Sequence, residues 1–190
     1  VAVPSVLVFL SIVMQEGQTL IKDYQRDRIM AFFDPATYAD TEAYQQLNSV
    51  IAIGSGQLWG KGLNNTDIAS VKNGNFLPES QTDFIFAVIG EELGFVGSAV
   101  VILLLILIAM RCVSIARVAK DTAGMVIAAG MGSLIGIQGF MNIAVATMMM
   151  PNTGLPLPFV SYGLSSLVSM YIGIGFVLNV GLQRKNLYNL

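Results

Sequence analysis

The chain has 190 residues, of which 54% are hydrophobic and 12% are charged. Soluble domains have roughly 45–50% apolar and about 25% charged residues, so this composition is typical of an integral membrane protein. The net charge of −2 gives no sign of a nucleic-acid partner. The single cysteine excludes an internal disulfide, and the absence of histidine excludes a histidine base or metal ligand within this segment.

Four apolar runs follow one another along the chain, at 1–14, 84–110, 123–150 and 164–182. The last three are long enough to cross a hydrocarbon core of about 30 Å. The sequence therefore predicts an all-α fold, a polytopic membrane helix bundle forming a single domain. The first run would span only about 21 Å at 1.5 Å per residue. We therefore expect the chain to be a fragment cut inside a transmembrane helix.

A polar segment, residues 15–83, separates the first two runs and is too long for an ordinary connector, so we predict that it is functional. Basic residues in the other connections indicate which ends are cytoplasmic, because Lys and Arg concentrate there. These residues are Arg111, Arg117, Lys120, Arg184 and Lys185. The sequence thus predicts a multi-pass plasma-membrane protein whose long loop is extracytoplasmic.

Within the long loop, residues 19–33 have the pattern of a short amphipathic helix that Asp34-Pro35 ends. This helix would lie on the membrane surface or pack on the bundle, and the pattern favours neither. In the third run, small residues recur at every fourth position and favour close helix packing. They are Gly124, Ala128, Gly132 and Gly136. Gln138 and Asn142 share one helix face and are predicted to point into the bundle.

Residues 54–62, GSGQLWGKG, resemble a phosphate loop but lack the spacing of a Walker A motif. Two interpretations stay open for this glycine loop. It is either an anion-binding turn that presents the Lys61 ammonium or a plain turn.

Asp83 also has two interpretations. Ser80 and Asp83 have the spacing of a capping box at the start of a helix. Alternatively, Asp83 is a carboxylate held at the outer membrane surface as a general base. Glu91 and Glu92 lie within the apolar run that follows, where charge is expensive and indicates function by default. Either one faces a polar cavity and the other a neighbouring helix, or a kink near 90–94 brings both close to the interface.

Three prolines between positions 151 and 158 exclude a helix from this segment. Apolar but irregular backbone is tolerated at a membrane only where it is buried in protein or lines a cavity. The segment Pro151–Phe159 is therefore predicted to be a re-entrant loop that packs back into the bundle.

Four segments together resemble a known family. They are, in order, DYQRDRIMAFFDP, YQQLNSVIAIGSGQLWGKG, LPESQTDFIFAVIGEELGFVG and PNTGLPLPFVSYG. This series is similar to the C-terminal half of the RodA/FtsW/SpoVE (SEDS) proteins. The resemblance implies a ten-helix membrane protein that polymerises lipid II into peptidoglycan strands beside a class B penicillin-binding protein. Leu164 and Gln81 depart from the family pattern, so division and elongation roles are not distinguished.

The resemblance implies that Asp83 is the catalytic residue. In this polymerisation, the 4-hydroxyl of one lipid II attacks the anomeric carbon of another, and the lipid pyrophosphate leaves. An ionised Asp can accept the proton of the attacking hydroxyl. The leaving pyrophosphate needs positive charge, from basic side chains or from a divalent cation, Mg²⁺ or Mn²⁺. Residues predicted to bind the substrates, lipid II and lipid-linked glycan, are Lys61, Lys72, Arg28, Glu79, Glu91, Ser161 and Tyr162.

Two other functions remain possible on the sequence. A flippase or transporter of lipid-linked precursors would use the same broken helices, with polar groups at the bilayer midplane. A non-catalytic scaffold of the division or elongation machinery would tolerate loss of Asp83.

Overall fold

The computed structural model describes residues 23–41, 43–63 and 81–183. These ranges contain five helices and no strand, which confirms the predicted all-α class. The helices are α1 (Asp23–Phe33), α2 (Tyr44–Ser55), α3 (Ile85–Arg117), α4 (Thr122–Ala146) and α5 (Leu164–Leu182). The first apolar run, 1–14, lies outside the described residues, as do Lys72 and Glu79.

Helices α3, α4 and α5 are each long and apolar enough to cross a membrane, so the predicted polytopic bundle is confirmed. Helix α5 begins and ends at the bounds of the last apolar run. Helix α3 continues beyond the predicted end at residue 110, so Arg111 and Arg117 lie in the helix and not in a loop. Helix α4 ends at Ala146, four residues earlier than predicted, and Met148 then has a positive φ of 57°.

Helix α3 packs along α4, and α5 packs against both. The predicted small-residue stripe of α4 accounts for much of this approach, because Gly124, Ala128 and Gly132 are buried. A Cβ on Gly132 would lie only 3.0 Å from the carbonyl oxygen of Ala109 on α3. Gly136 is exposed, so the fourth member of the stripe does not take part in this packing.

Helix α2 lies within the long loop and was not predicted as a helix. Its buried face is largely polar, with Gln46 and Ser49 facing the C-terminal end of α4. The last carbonyls of a helix have no donors within the helix. Here the Gln46 amide donates to Val145 O at 3.0 Å, and the Ser49 hydroxyl donates to Ala146 O at 2.7 Å. Helix α2 therefore caps the end of α4 with side chains.

Helix α3 breaks at Gly94, whose φ of 67° and ψ of −164° are not helical. A kink near 90–94 is one of the two interpretations given above for Glu91 and Glu92, and the structure has it while Glu91 stays buried. The break removes the helical bonds that the N–H groups of residues 95 and 96 would donate to the carbonyls of residues 91 and 92. The glycine loop replaces both. Phe95 N donates to Gln57 O (2.8 Å), Val96 N to Leu58 O (3.2 Å), Lys61 N to Glu91 O (2.9 Å) and Gly62 N to Glu92 O (3.0 Å).

This exchange of backbone bonds satisfies four of the backbone groups at the kink. Unsatisfied backbone groups at membrane depth cost several kcal/mol each. The close approach also requires glycine, because a Cβ at Gly56 would overlap the Gly90 carbonyl and one at Gly60 would overlap the Glu92 carbonyl. The glycine loop is thus the structural complement of the kinked span.

The segment between α4 and α5 is not helical, and Leu157 and Pro158 are buried in the bundle. Two polar side chains of α4 hold it there. The Gln138 amide donates to Pro156 O at 2.8 Å, and the Asn142 amide donates to Leu155 O at 2.7 Å. The predicted re-entrant loop and the predicted inward direction of Gln138 and Asn142 are therefore confirmed.

Candidate functional site

Asp83 lies in the turn at residues 81–84, immediately before α3. The helix begins at Ile85, with Phe84 at the N-cap position. A capping box needs its acidic residue at the third helical position, three residues after the N-cap. Asp83 precedes the N-cap, so it does not occupy the third helical position that a capping box requires, and its proposed partner Ser80 lies outside the described residues.

Three consecutive carbonyl groups, those of residues 81–83, each accept a hydrogen bond from another part of the bundle. The donors are the Tyr162 N–H to Gln81 (2.8 Å), the Ser161 hydroxyl to Thr82 (2.6 Å) and the Asn142 amide to Asp83 (2.7 Å). The backbone that carries Asp83 is therefore held on one side by Ser161 and Tyr162, which follow the re-entrant loop, and on the other side by α4.

Ser161 and Tyr162, predicted to bind substrate, have different positions. Ser161 is 2% exposed, and its hydroxyl also accepts the Leu157 N–H at 2.6 Å. The structure therefore uses this hydroxyl to position backbone. The Tyr162 ring is 70% exposed beside the turn that carries Asp83. Substrate contacts for both residues stay predictions.

The side chains of Asp83 and Arg28 converge on Gly154 of the re-entrant loop. A Cβ placed on Gly154 would lie 3.4 Å from Asp83 Oδ2 and 3.9 Å from Arg28 Nη1. The two side chains are therefore separated by no more than these two distances combined. Both are half-buried, and Gly154 has a φ of 67° that favours glycine. Segments far apart in the chain thus bring a carboxylate and a guanidinium to one mouth of the bundle.

Lys61 and Glu91 form an ion pair, with Lys61 Nζ 2.7 Å from Glu91 Oε1. The Glu91 side chain is 2% exposed and that of Lys61 is 28% exposed. A buried carboxylate is tolerated in a span when it is paired in this way. The N–H groups of Lys61 and Gly62 donate to carbonyls of α3, which favours the plain-turn interpretation for these two groups. Substrate contacts of Lys61 and Glu91 stay predictions.

A divalent cation was predicted to assist the leaving group. Within residues 23–41, 43–63 and 81–183, no three acidic or cysteine side chains gather at one point. Mg²⁺ is commonly held by one or two carboxylates together with substrate phosphates. A cation held mainly by the substrate pyrophosphate would need few protein ligands, and the cation stays a prediction.

These features define a polytopic membrane protein with a polar, hydrogen-bonded site at one end of an apolar helix bundle. The sequence model of the FtsW/RodA/SpoVE family, described as “Cell cycle protein”, matches residues 1–186. The chain belongs to this family. Membership and the three apolar helices identify it as part of a multi-pass protein of the cytoplasmic membrane.

Two relatives and one solved structure illustrate which proteins the chain is similar to. “Probable peptidoglycan glycosyltransferase FtsW” of Geobacter metallireducens is 39% identical over 163 residues, covering 86% of this chain and 42% of the relative. “Peptidoglycan glycosyltransferase MrdB” of Escherichia coli K12 is 42% identical over 168 residues, covering 88% and 45%. The chain therefore spans less than half the length of these relatives.

The solved structure is described as “Structural coordination of polymerization and crosslinking by a peptidoglycan synthase complex”. One of its chains is 30% identical to this chain, with a TM-score of 0.66. The match covers 98% of this chain and 50% of the solved one. The fold of the described bundle is therefore shared with a protein of that complex.

Proposed function

We propose that the protein containing this chain is a glycosyltransferase that polymerises lipid II into peptidoglycan glycan strands during cell elongation or division. The observation that carries this proposal is the convergence of Asp83 and Arg28 on Gly154 at one mouth of the bundle. The names of the relatives, peptidoglycan glycosyltransferases at 39% and 42% identity, support it.

In the proposed reaction, the 4-hydroxyl of one lipid-linked sugar attacks the anomeric carbon of another. The new glycosidic bond forms as the bond from that carbon to the pyrophosphate oxygen breaks, and the lipid pyrophosphate leaves with the electron pair. Asp83 accepts the hydroxyl proton as the general base. Arg28 stabilises the negative charge that develops on the leaving group, because a guanidinium binds phosphate oxygens in a two-pronged geometry.

The position of the site suits substrates that are anchored in a membrane. Asp83 lies just before the N-terminal end of an apolar span, so a lipid-linked pyrophosphate can reach it while its hydrocarbon chain stays in the bilayer. The distribution of basic residues favours the extracytoplasmic side for this mouth. Lys72 and Glu79, which lie outside the described residues, remain candidate substrate ligands together with Tyr162.

We also propose a crosslinking partner of the class B penicillin-binding protein type. One chain of a solved complex resembles this chain, and that complex is described as coordinating polymerization and crosslinking. A transpeptidase beside the membrane mouth would receive the new glycan strand as it is made.

The proposal is tested by the Asp83→Asn variant of the full-length protein in a lipid II polymerisation assay. The amide keeps the size of the side chain but cannot accept the proton, and loss of a general base lowers rates by about 10²–10⁴-fold. We expect a loss in this range with normal membrane abundance.

The matched control is Asp34→Asn, which removes a carboxylate on the same long loop. Asp34 is exposed and accepts the Thr37 hydroxyl at 2.6 Å, so we expect activity within about two-fold of the parent. Polymerisation by Asp83→Asn at a rate close to that of Asp34→Asn would show that Asp83 is not the base.

A further inference from the structure

We propose that Asn142 of α4 is a positioning residue for Asp83, because its amide group bonds both the Asp83 backbone carbonyl and the re-entrant loop. This inference rests on the proposed function, since it assigns to Asn142 a role in the reaction of Asp83. It concerns a side chain that lies inside the bundle and acts through the backbone.

The geometry of the Asn142 amide is specific. Its nitrogen donates to Asp83 O at 2.7 Å and to Leu155 O at 2.7 Å, which uses both N–H bonds of the group. Leu155 directly follows Gly154, the residue on which the Asp83 carboxylate and Arg28 converge. A single planar group therefore ties together the two backbone segments that face each other across the site.

The orientation of this amide follows from its neighbours. Rotating the group by 180° would place its oxygen against two carbonyl oxygens, so the NH₂ group must face Asp83 and Leu155. The side chain is 1% exposed, and its own oxygen is buried with no hydrogen-bond partner among the described residues. A buried acceptor without a donor opposes folding. The unpartnered oxygen therefore offsets part of what the two donated hydrogen bonds contribute to folding.

Positioning matters for this reaction because a displacement of about 1 Å at a reacting group can lower a rate about 10²-fold. Asp83 takes the proton only in the transition state. Its displacement should therefore lower kcat and leave KM nearly unchanged, because ground-state binding of the lipid and pyrophosphate does not depend on it.

The chain offers a matched control one turn earlier on the same helix face. Gln138 donates to Pro156 O at 2.8 Å, so it anchors the re-entrant loop without contacting the Asp83 segment. Gln138→Leu and Asn142→Leu each replace a buried amide with an apolar side chain that cannot donate. Only the second removes the bond to Asp83.

The experiment measures lipid II polymerisation by the full-length protein carrying each variant. We expect Asn142→Leu to lower kcat about 10²-fold with KM within about three-fold, and Gln138→Leu to change kcat by less than about five-fold. In an Asp83→Asn background, Asn142→Leu should lower the residual rate by less than about three-fold, because the group that it positions is already absent.

Two outcomes would overturn the inference. One is an equal fall in kcat for both leucine variants, and the other is an undiminished effect of Asn142→Leu in the Asp83→Asn background. Failure of the proposed function is a different result, namely no lipid II polymerisation by the parent protein itself. If Asn142→Leu does not accumulate in the membrane, Asn142→Ser is measured in the same way, because serine has one donor and cannot bond both carbonyls.

Discussion

The ion pair between Lys61 and Glu91 allows a quantitative test of how the glycine loop holds the kinked span. Glu91 is buried at 2% exposure with Lys61 Nζ at 2.7 Å, and the pair lies beside the four backbone bonds that bridge the break at Gly94. Lys61→Met removes the positive charge and keeps most of the aliphatic stem. The carboxylate of Glu91 then stays buried and loses the ammonium group at 2.7 Å.

Removing one partner of a buried ion pair destabilises a protein by about 3–5 kcal/mol. Lys61 is 28% exposed, so water can partly replace its ammonium, and we expect the lower end of this range, about 3 kcal/mol. Replacing both partners removes the buried charge together with its counter-ion. The double variant Lys61→Met/Glu91→Gln should therefore lie within about 1 kcal/mol of the parent.

The quantity measured is the free energy of unfolding of the full-length protein in detergent micelles, obtained by denaturant titration. The double-mutant cycle isolates the interaction of the two side chains from the effect of each substitution. Membrane abundance in cells should follow the same order, with Lys61→Met lowest and the double variant close to the parent.

The same cycle distinguishes this structural role from pyrophosphate binding by Lys61. A phosphate ligand would be lost equally in the single and the double variant, and its loss would raise KM without changing stability. A single variant as stable as the parent, or a double variant no more stable than the single one, would refute the reasoning from burial and pairing.

Three further predictions use single positions. A cysteine at Ala36 in a Cys112→Ser background should react with an impermeant maleimide in intact cells, and labelling only after lysis would place the long loop in the cytoplasm. Gly154→Ala should lower stability by about 1–2 kcal/mol and reduce polymerisation, because residue 154 has a φ of 67°; unchanged melting and activity would contradict this. Gly132→Ala should lower the melting temperature, whereas Gly136→Ala, whose Cβ would meet nothing nearer than 3.9 Å, should not.

Features that depend only on the residue types within one short segment could be predicted from the sequence. Helices α3, α4 and α5 follow from runs of apolar residues, because only a helix satisfies its own backbone within lipid. The non-helical re-entrant loop follows from its prolines, whose rings exclude helical hydrogen bonding. A kink near Gly94 was one of two interpretations of the acids in this run, and the structure decided between them.

Helix α2 could not be found from the same signals. Its buried residues Gln46 and Ser49 are polar, so apolar periodicity does not mark the face that packs. Their partners are carbonyls of Val145, Ala146 and Met150, about 100 positions further along the chain. A polar side chain is buried only where such partners exist, and only the tertiary structure supplies them.

The candidate site was likewise predicted only in part from the sequence. The sequence and its family resemblance identified Asp83 and Arg28 as separate residues, because carboxylates and guanidinium groups have intrinsic chemistry. Tertiary structure decided that both face Gly154, that Asn142 holds the Asp83 backbone, and that Lys61 pairs with Glu91. A residue's type determines the chemistry it can perform. The partners that position, bury or neutralise it are brought together only when distant segments of the chain pack against one another.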